Sequence, residues 1–239
     1  MVNNTYDIDI KKLLESGAHF GHKTSRWHPK MAEYIHSKRD GSHIIDLTKT
    51  VTALQTALIF LETVAENNKQ ILLISTKKQA KDIINNLAKE TDMPFVSERW
   101  LGGMLTNSNT INGRIRHLKD LEAKLASGEL NNKYNKLEVQ RFNEEINELN
   151  RIYGGIKELN GHPGAIFILD VNNDNNAVTE ANKLGIKTVG IVDTNTDPSK
   201  ITYPIPANDD ALKTLNLIAD LVKQAILNGK AKASKANTK

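Results

Sequence analysis

The sequence predicts an α/β fold, a parallel sheet flanked by helices, with a protruding α-helical coiled-coil hairpin. Three observations carry this expectation. The runs "QILLIS" (70–75), "GAIFILDV" (164–171) and "KTVGIVD" (187–193) are apolar without alternation, the pattern of strands covered on both faces. Helical segments separate them, as crossover connections between parallel strands require. Residues 105–158 break this rhythm: Ile111, Ile115, Leu118 and Leu125, then Phe142, Ile146, Leu149, Tyr153 and Ile156, step at the spacing of a two-helix seam around the polar turn "ASGELNNKYNK". The strongly polar remaining faces of these two helices favour a hairpin that projects from the body over two helices lying on the sheet.

In chain order, Ile10, Leu13 and Leu14 predict a short first helix closed by Gly17. The stretch "AHFGHKTSRWHPK" (18–30) begins as loop. Next, "YIHSKRDGSHIIDL" sets two short β-like runs around Asp40-Gly41, a pair suited to the positive φ values of a tight hairpin. Asp46 or Thr48 caps a helix through Leu54, Leu58, Leu61 and Val64. After "QILLIS" come a helix over 77–90 and a brief strand in "PFVSE" (94–98). The segment "NAVTEANKLG" is a helix ending at Gly185, and the last helix runs over 209–228. The chain thus divides into a discontinuous α/β domain (1–104 and 159–228), the hairpin (105–158) and a flexible basic tail (229–239). The tail carries four lysines and no acid after Asn228, and is either a frayed end or a segment that orders on a polyanion.

Length and composition limit the function. With 239 residues, 39% of them hydrophobic, the chain can bury a sizeable core. No run of about 18 apolar residues exists and the start lacks the order of a secretory signal, so a cytoplasmic protein with no membrane partner is expected. The absence of cysteine excludes disulfides, thiolate zinc sites and thiol nucleophiles. Any metal here must use histidine and carboxylate.

An open parallel sheet invites a nucleotide at the carboxyl ends of its strands, but the turn after "QILLIS" reads "TKKQAK", without the glycines that let backbone wrap a phosphate. The two glycines of "RWLGGML" sit among bulky apolar residues and suit a tight bend better than a pyrophosphate. No nucleophile elbow or zinc-hydrolase motif is present. Carboxylates do gather: Asp170 and Asp193 end two strands, and Asp209 and Asp210 open the last helix. These acids are helix caps, or, joined by a histidine from the early loop, ligands of a divalent ion. A metal-dependent enzyme acting on a phosphorylated metabolite is therefore one reading. Basic residues form the more coherent set: Lys23, Arg26 and Lys30 around Trp27, Lys38 and Arg39 at the hairpin tip, Lys77 and Lys78 at a helix start, Arg99 beside Trp100, and Arg114 and Arg116 at the base of the helical hairpin. Cations beside aromatics near loops and element ends suit the phosphates and unstacked bases of structured RNA.

The motifs "GAHFGHKTSRWHPKM", "IIDLTKTV", "STKKQA", "RWLGGMLTN", "GGIKEL", "VTEANKLGI", "VGIVDTNTDP" and "IPANDDA" resemble, in order and spacing over about residues 8–228, bacterial small-subunit ribosomal protein two, the S-two family. The resemblance implies a Rossmann-like domain carrying a coiled-coil hairpin, and a non-catalytic role in the small ribosomal subunit. It implies binding to small-subunit ribosomal RNA and docking of neighbouring small-subunit proteins, including proteins one, three, five and eight, of which protein one captures messenger RNA. Carried over, the RNA-facing positions are Lys23, Arg26, Trp27, Lys30, Arg39, Lys77, Lys78, Arg99 and Trp100. The same resemblance places a divalent metal, zinc or magnesium, at His22, Asp193, Asp209 and Asp210, with no cofactor required. Ser75 and His28 stand where the family often carries glycine and asparagine, and glycine is commoner around Ala207.

Overall fold

The computed structural model describes residues 6–236. The chain opens with α1 (Ile10–Ser16), capped by Asp9 and closed by Gly17 at φ 84°. A small antiparallel sheet follows, made of β1 (Phe20–Lys23), β2 (Ile35–Arg39) and β3 (Ser42–Ile45) in the order β1-β3-β2. Asp40 and Gly41 take positive φ at its turn, as the Asp-Gly pair requires. The strand β1 lies inside the stretch read from sequence as loop. Asp46, not Thr48, caps α2 (Leu47–Glu66) by accepting the Thr48 amide.

The body is a five-stranded, wholly parallel sheet of β4 (Ile71–Ile74), β5 (Phe95–Val96), β6 (Ala165–Ile168), β7 (Lys187–Val192) and β8 (Tyr203–Pro206), in the order β5-β4-β6-β7-β8. Its helices are α2, α3 (Lys81–Thr91), α7 (Asn175–Lys183) and α8 (Leu212–Ala236). Alternate residues of one strand serve opposite cores. Ile71 and Leu73 join Phe167, Leu58, Ile84 and Ile218 on the face covered by α2, α3 and α8, whereas Leu72 and Ile74 join Ile166, Ile168, Ala177 and Val178 on the face covered by α7. This double burial is why the strands read as unbroken apolar runs. Since β5 and β6 flank β4 on opposite sides, the connections reverse direction there, and the β4/β6 carboxyl ends form the crevice where doubly wound folds receive ligands.

Between β5 and β6 lie α4 (Ser108–Ala126), α5 (Glu129–Lys133) and α6 (Lys136–Tyr153). Helices α4 and α6 pack through Ile111, Ile115, Leu118, Ile146 and Tyr153, with Leu125, Phe142 and Leu149 partly buried beside them. The turn expected from sequence contains α5, whose Leu130 is buried, and Asn135 and Glu138 form a reciprocal capping box at the start of α6. Ile111, Ile115 and Ile156 belong to the same apolar cluster as Leu72 and Ile168, so the hairpin base is continuous with the second core.

One boundary is corrected. The last helix does not give way to a tail at 229 but continues to Ala236. Gly229 lets α8 lie directly on α2, since a Cβ there would stand 2.4 Å from the Glu62 carbonyl oxygen. One turn on, Ala233 is buried and Lys232 pairs with the buried Glu62 at 2.5 Å. Glu62 also accepts the Tyr6 hydroxyl, so one carboxylate of α2 secures both ends of the described chain. Residues 237–239 of the expected tail lie outside the described residues.

Candidate functional site

The carboxyl ends of the parallel strands carry a compact acid, histidine and lysine cluster. Asp193 follows β7, Asp170 follows β6, Lys77 follows β4, and Asp209 and Asp210 lie between β8 and α8. The small sheet brings His22 over them on β1, where the His22 amide donates to Thr194 Oγ1 at 2.9 Å. His22 Nδ1 lies 3.1 Å from Asp193 Oδ2, and Nε2 lies 3.6 Å from Asp210 Oδ2. The hydrogen bond to Asp193 raises the His22 pKa to about 9 against the opposing effect of burial. Burial, then the nearby charges of Asp170 and Asp193, push the Asp209 carboxyl up to about 7.

Ligand atoms of His22, Asp193 and Asp209 all lie within 4.8 Å of one another. Asp210, the fourth residue expected, stands 60% exposed at the mouth of this group and is engaged by Lys77. The donor set fits a divalent cation: one imidazole and two buried carboxylates suit zinc, and the oxygens suit magnesium. Burial first, and the neighbouring carboxylates second, disfavour a charged Asp209, and a bound cation would offset both.

Lys77 corrects a sequence expectation. Placed there among RNA-facing cations, it points inward, with Nζ 3.3 Å from Asp170, 3.6 Å from Asp209 and 2.6 Å from Asp210. Burial would lower its pKa, but these carboxylates prevail and raise it. The ligand crevice of the fold is thus occupied by the protein's own ammonium group. Beside it, the buried Asp174 accepts the Thr76 amide and hydroxyl at 3.1 and 2.7 Å.

Trp100 is the second correction. It is only 8% exposed, so its ring is not open to a base. Its indole N–H donates to Glu180 Oε1 at 3.0 Å, and Glu180 also accepts the amides of Gly103, Leu105 and Thr106 and the Thr106 hydroxyl. This explains "RWLGGMLTN": Gly103 adopts φ 89°, and its strap wraps a carboxylate of α7 instead of a phosphate. Nothing in "VTEANKLGI" marks Glu180 for this task, because its donors lie some 75 residues upstream.

The other basic residues stay outward. Lys23 and Arg26 are exposed and line, with His22, Asp193 and Asp210, an open pocket of about 390 Å³. Trp27 is 38% exposed and rests on His43, their ring centroids 5.2 Å apart, with the Lys38 ammonium 6.0 Å from the indole centroid. Lys30 is exposed but tied to Asp197 at 3.1 Å and Ser199 at 2.6 Å. Among the described residues, Arg39 at the hairpin tip meets only Asp40, at 3.7 Å, and Lys78 and Arg99 are exposed.

A family model described as "Ribosomal protein S2" matches residues 13–229. The chain belongs to the ribosomal protein S2 family. Among its relatives, the small ribosomal subunit protein uS2 of Roseiflexus castenholzii is 50% identical over 224 residues, covering 93% of this chain and 84% of the relative. Proteins of the same name from Fusobacterium nucleatum and Hahella chejuensis are 43% and 44% identical, covering 93% and 95% of this chain and 90% of each relative. The S2 match spans His22, the strap, the hairpin and the late acids. These relatives are named as ribosomal proteins and not as enzymes.

Proposed function

We propose that this S2-family chain is a structural constituent of the small ribosomal subunit, acting in translation, that grips ribosomal RNA and helps dock neighbouring proteins. The observation that carries this reading is the exposed pair Lys23 and Arg26 on one open pocket, with the half-exposed Trp27 next in sequence and Arg39, Lys78 and Arg99 as further outward cations. Guanidinium and ammonium groups supply sequence-independent phosphate affinity, and the partly exposed Trp27 indole offers a stacking surface. Lys30 joins this set if RNA displaces its exposed pairing with Asp197, a contact worth little in water. For protein neighbours, among them proteins one, three, five and eight, the far end of the helical hairpin offers Tyr134 at 44% and Leu137 at 61% exposure. No helix is long and apolar enough to cross a membrane among the described residues; a cytoplasmic ribosome is the compartment that fits this reading.

The same proposal places a divalent cation, zinc or magnesium, on His22, Asp193 and Asp209, with Asp210 at the mouth. Bound there, it would neutralise buried charge and fix β1 against the strand ends, holding Lys23 and Arg26 in place. Co-sedimentation of the protein with small subunits, followed by crosslink mapping from Trp27 and Arg26, tests the reading. Crosslinks to small-subunit RNA support it, and recovery of the protein only in free fractions would refute it.

A further inference from the structure

From Arg99 to Lys119 the chain carries no acidic residue, although it holds 28 in all. Two basic side chains of this stretch are committed within the hairpin: His117 meets Glu145 at 3.0 Å and Lys119 meets Glu158 at 2.8 Å. Two others on α4 are not. Among the described residues the exposed Arg114 has no acidic partner, and the exposed Arg116 donates only to the Asn112 carbonyl at 3.4 Å.

Helical geometry orders this surface. Ile111, Ile115 and Leu118 face the seam, so at about 3.6 residues per turn Asn109, Gly113 and Arg116 occupy the opposite side. Gly113 is the unexpected member. A Cβ there would meet nothing within 4 Å, and its φ is not left-handed. Glycine inside a helix is destabilising relative to alanine, so the fold gains nothing from it. Close approach by an outside molecule is the physical role left for a missing Cβ on an open helix face.

The face is suited to a phosphate–ribose backbone and not to a protein. Its donors are the Arg116 guanidinium and the Asn109 amide on that side, with the Arg114 guanidinium and the Asn112 amide on its two flanks, a set matched to phosphate oxygens and ribose hydroxyls. Protein interfaces need an apolar or aromatic anchor, and none of the exposed large apolar side chains lies on α4. The strap held by Glu180 fixes where α4 begins, so the surface is presented on a rigid element.

We infer that the outward face of α4, centred on Gly113 and flanked by Arg114 and Arg116, is a second RNA-backbone surface, separate from the surface of Lys23, Arg26 and Trp27. The inference rests on the RNA-binding reading above. It is tested on the full-length protein by small-subunit RNA binding across a salt series, together with thermal unfolding, for the parent, Gly113→Ala and Arg114→Gln/Arg116→Gln. Gly113→Ala is expected to raise Tm yet weaken RNA binding about fivefold or more. The double arginine variant is expected to keep its Tm and lower the salt slope by about two, close to one per phosphate contact. Parental RNA affinity in both variants would overturn the inference while leaving the RNA-binding reading intact. If those variants bound RNA normally but failed to enter small subunits, the face would belong to a protein neighbour, which also overturns it. A parent protein that binds no small-subunit RNA would overturn both.

Discussion

Trp100 and Glu180, eighty residues apart in sequence, are joined by an indole-to-carboxylate hydrogen bond of 3.0 Å. The strap around that carboxylate adds the amides of Gly103, Leu105 and Thr106. Glu180→Gln keeps the shape but replaces one acceptor oxygen with an amino group that faces donors. A loss of about 2–4 kcal/mol is expected, from weakened charged hydrogen bonds and an unsatisfied buried donor. Denaturant unfolding followed by tryptophan fluorescence measures it, and a change under about 0.5 kcal/mol, the ordinary surface range, would contradict the assignment.

The same carboxylate sets a pH dependence. Burial alone would raise the Glu180 pKa, but bonds from Trp100, Gly103, Leu105 and Thr106 outweigh it and hold it below the ordinary value of 4.5. Its folded pKa is therefore the lower one. The corresponding stability is fully present above the unfolded value and lost as pH falls through the folded one. Acid unfolding of Glu180→Gln should accordingly show a shallower decline below about pH 4.5 than the parent; identical slopes would exclude this contribution.

A single ammonium group, that of Lys77, faces Asp170, Asp209 and Asp210. Lys77→Met leaves these acids facing each other, a loss of about 2 kcal/mol, set below the buried-pair range because Asp210 is largely solvated. Excess zinc or magnesium should then raise Tm more in Lys77→Met than in the parent, since a cation bound only by the folded state stabilises it. Calorimetric titration checks the site itself: His22→Ala and Asp193→Asn should abolish binding. Equal metal response in all four proteins would contradict the cation assignment.

Two glycines give opposite expectations for one substitution. Gly229→Ala forces a Cβ against the Glu62 carbonyl oxygen, 2.4 Å away, and the Ala65 side chain, 2.7 Å away. Overpacking of this kind costs about 1–3 kcal/mol, and thermal unfolding should show a lower Tm where Gly113→Ala shows a higher one.

Strands buried on both faces were the legible part of the fold, because continuous apolar runs such as Ile71–Ile74 need no partner to be recognised. Strand β8 was not signalled: Pro204 and Pro206 argue against a strand, and are tolerated because β8 pairs only with β7, at the sheet edge. Strand β1 was hidden for a different reason, its residues Gly21 and His22 being chosen for contact with Thr194 and Asp193 over strand propensity. At the site, strand-end acids joined by a histidine from the early loop were legible as cation ligands or helix caps, but the choice of His22 came from the resemblance, since no local spacing links residues so distant. Trp100 beside Arg99 and Trp27 beside Arg26 look alike in sequence. Trp100 packs in the second core and donates to Glu180, whereas Trp27 rests on His43 at the surface.

The central claim, that the surface of Lys23, Arg26 and Trp27 grips RNA, is tested most directly by the salt dependence of small-subunit RNA binding in the parent and in Lys23→Gln/Arg26→Gln. The expected result is a steep fall of affinity with salt in the parent, and in the variant weaker binding with a slope reduced by about two, close to one per lost phosphate contact. Equal slopes and affinities in the two proteins would contradict it.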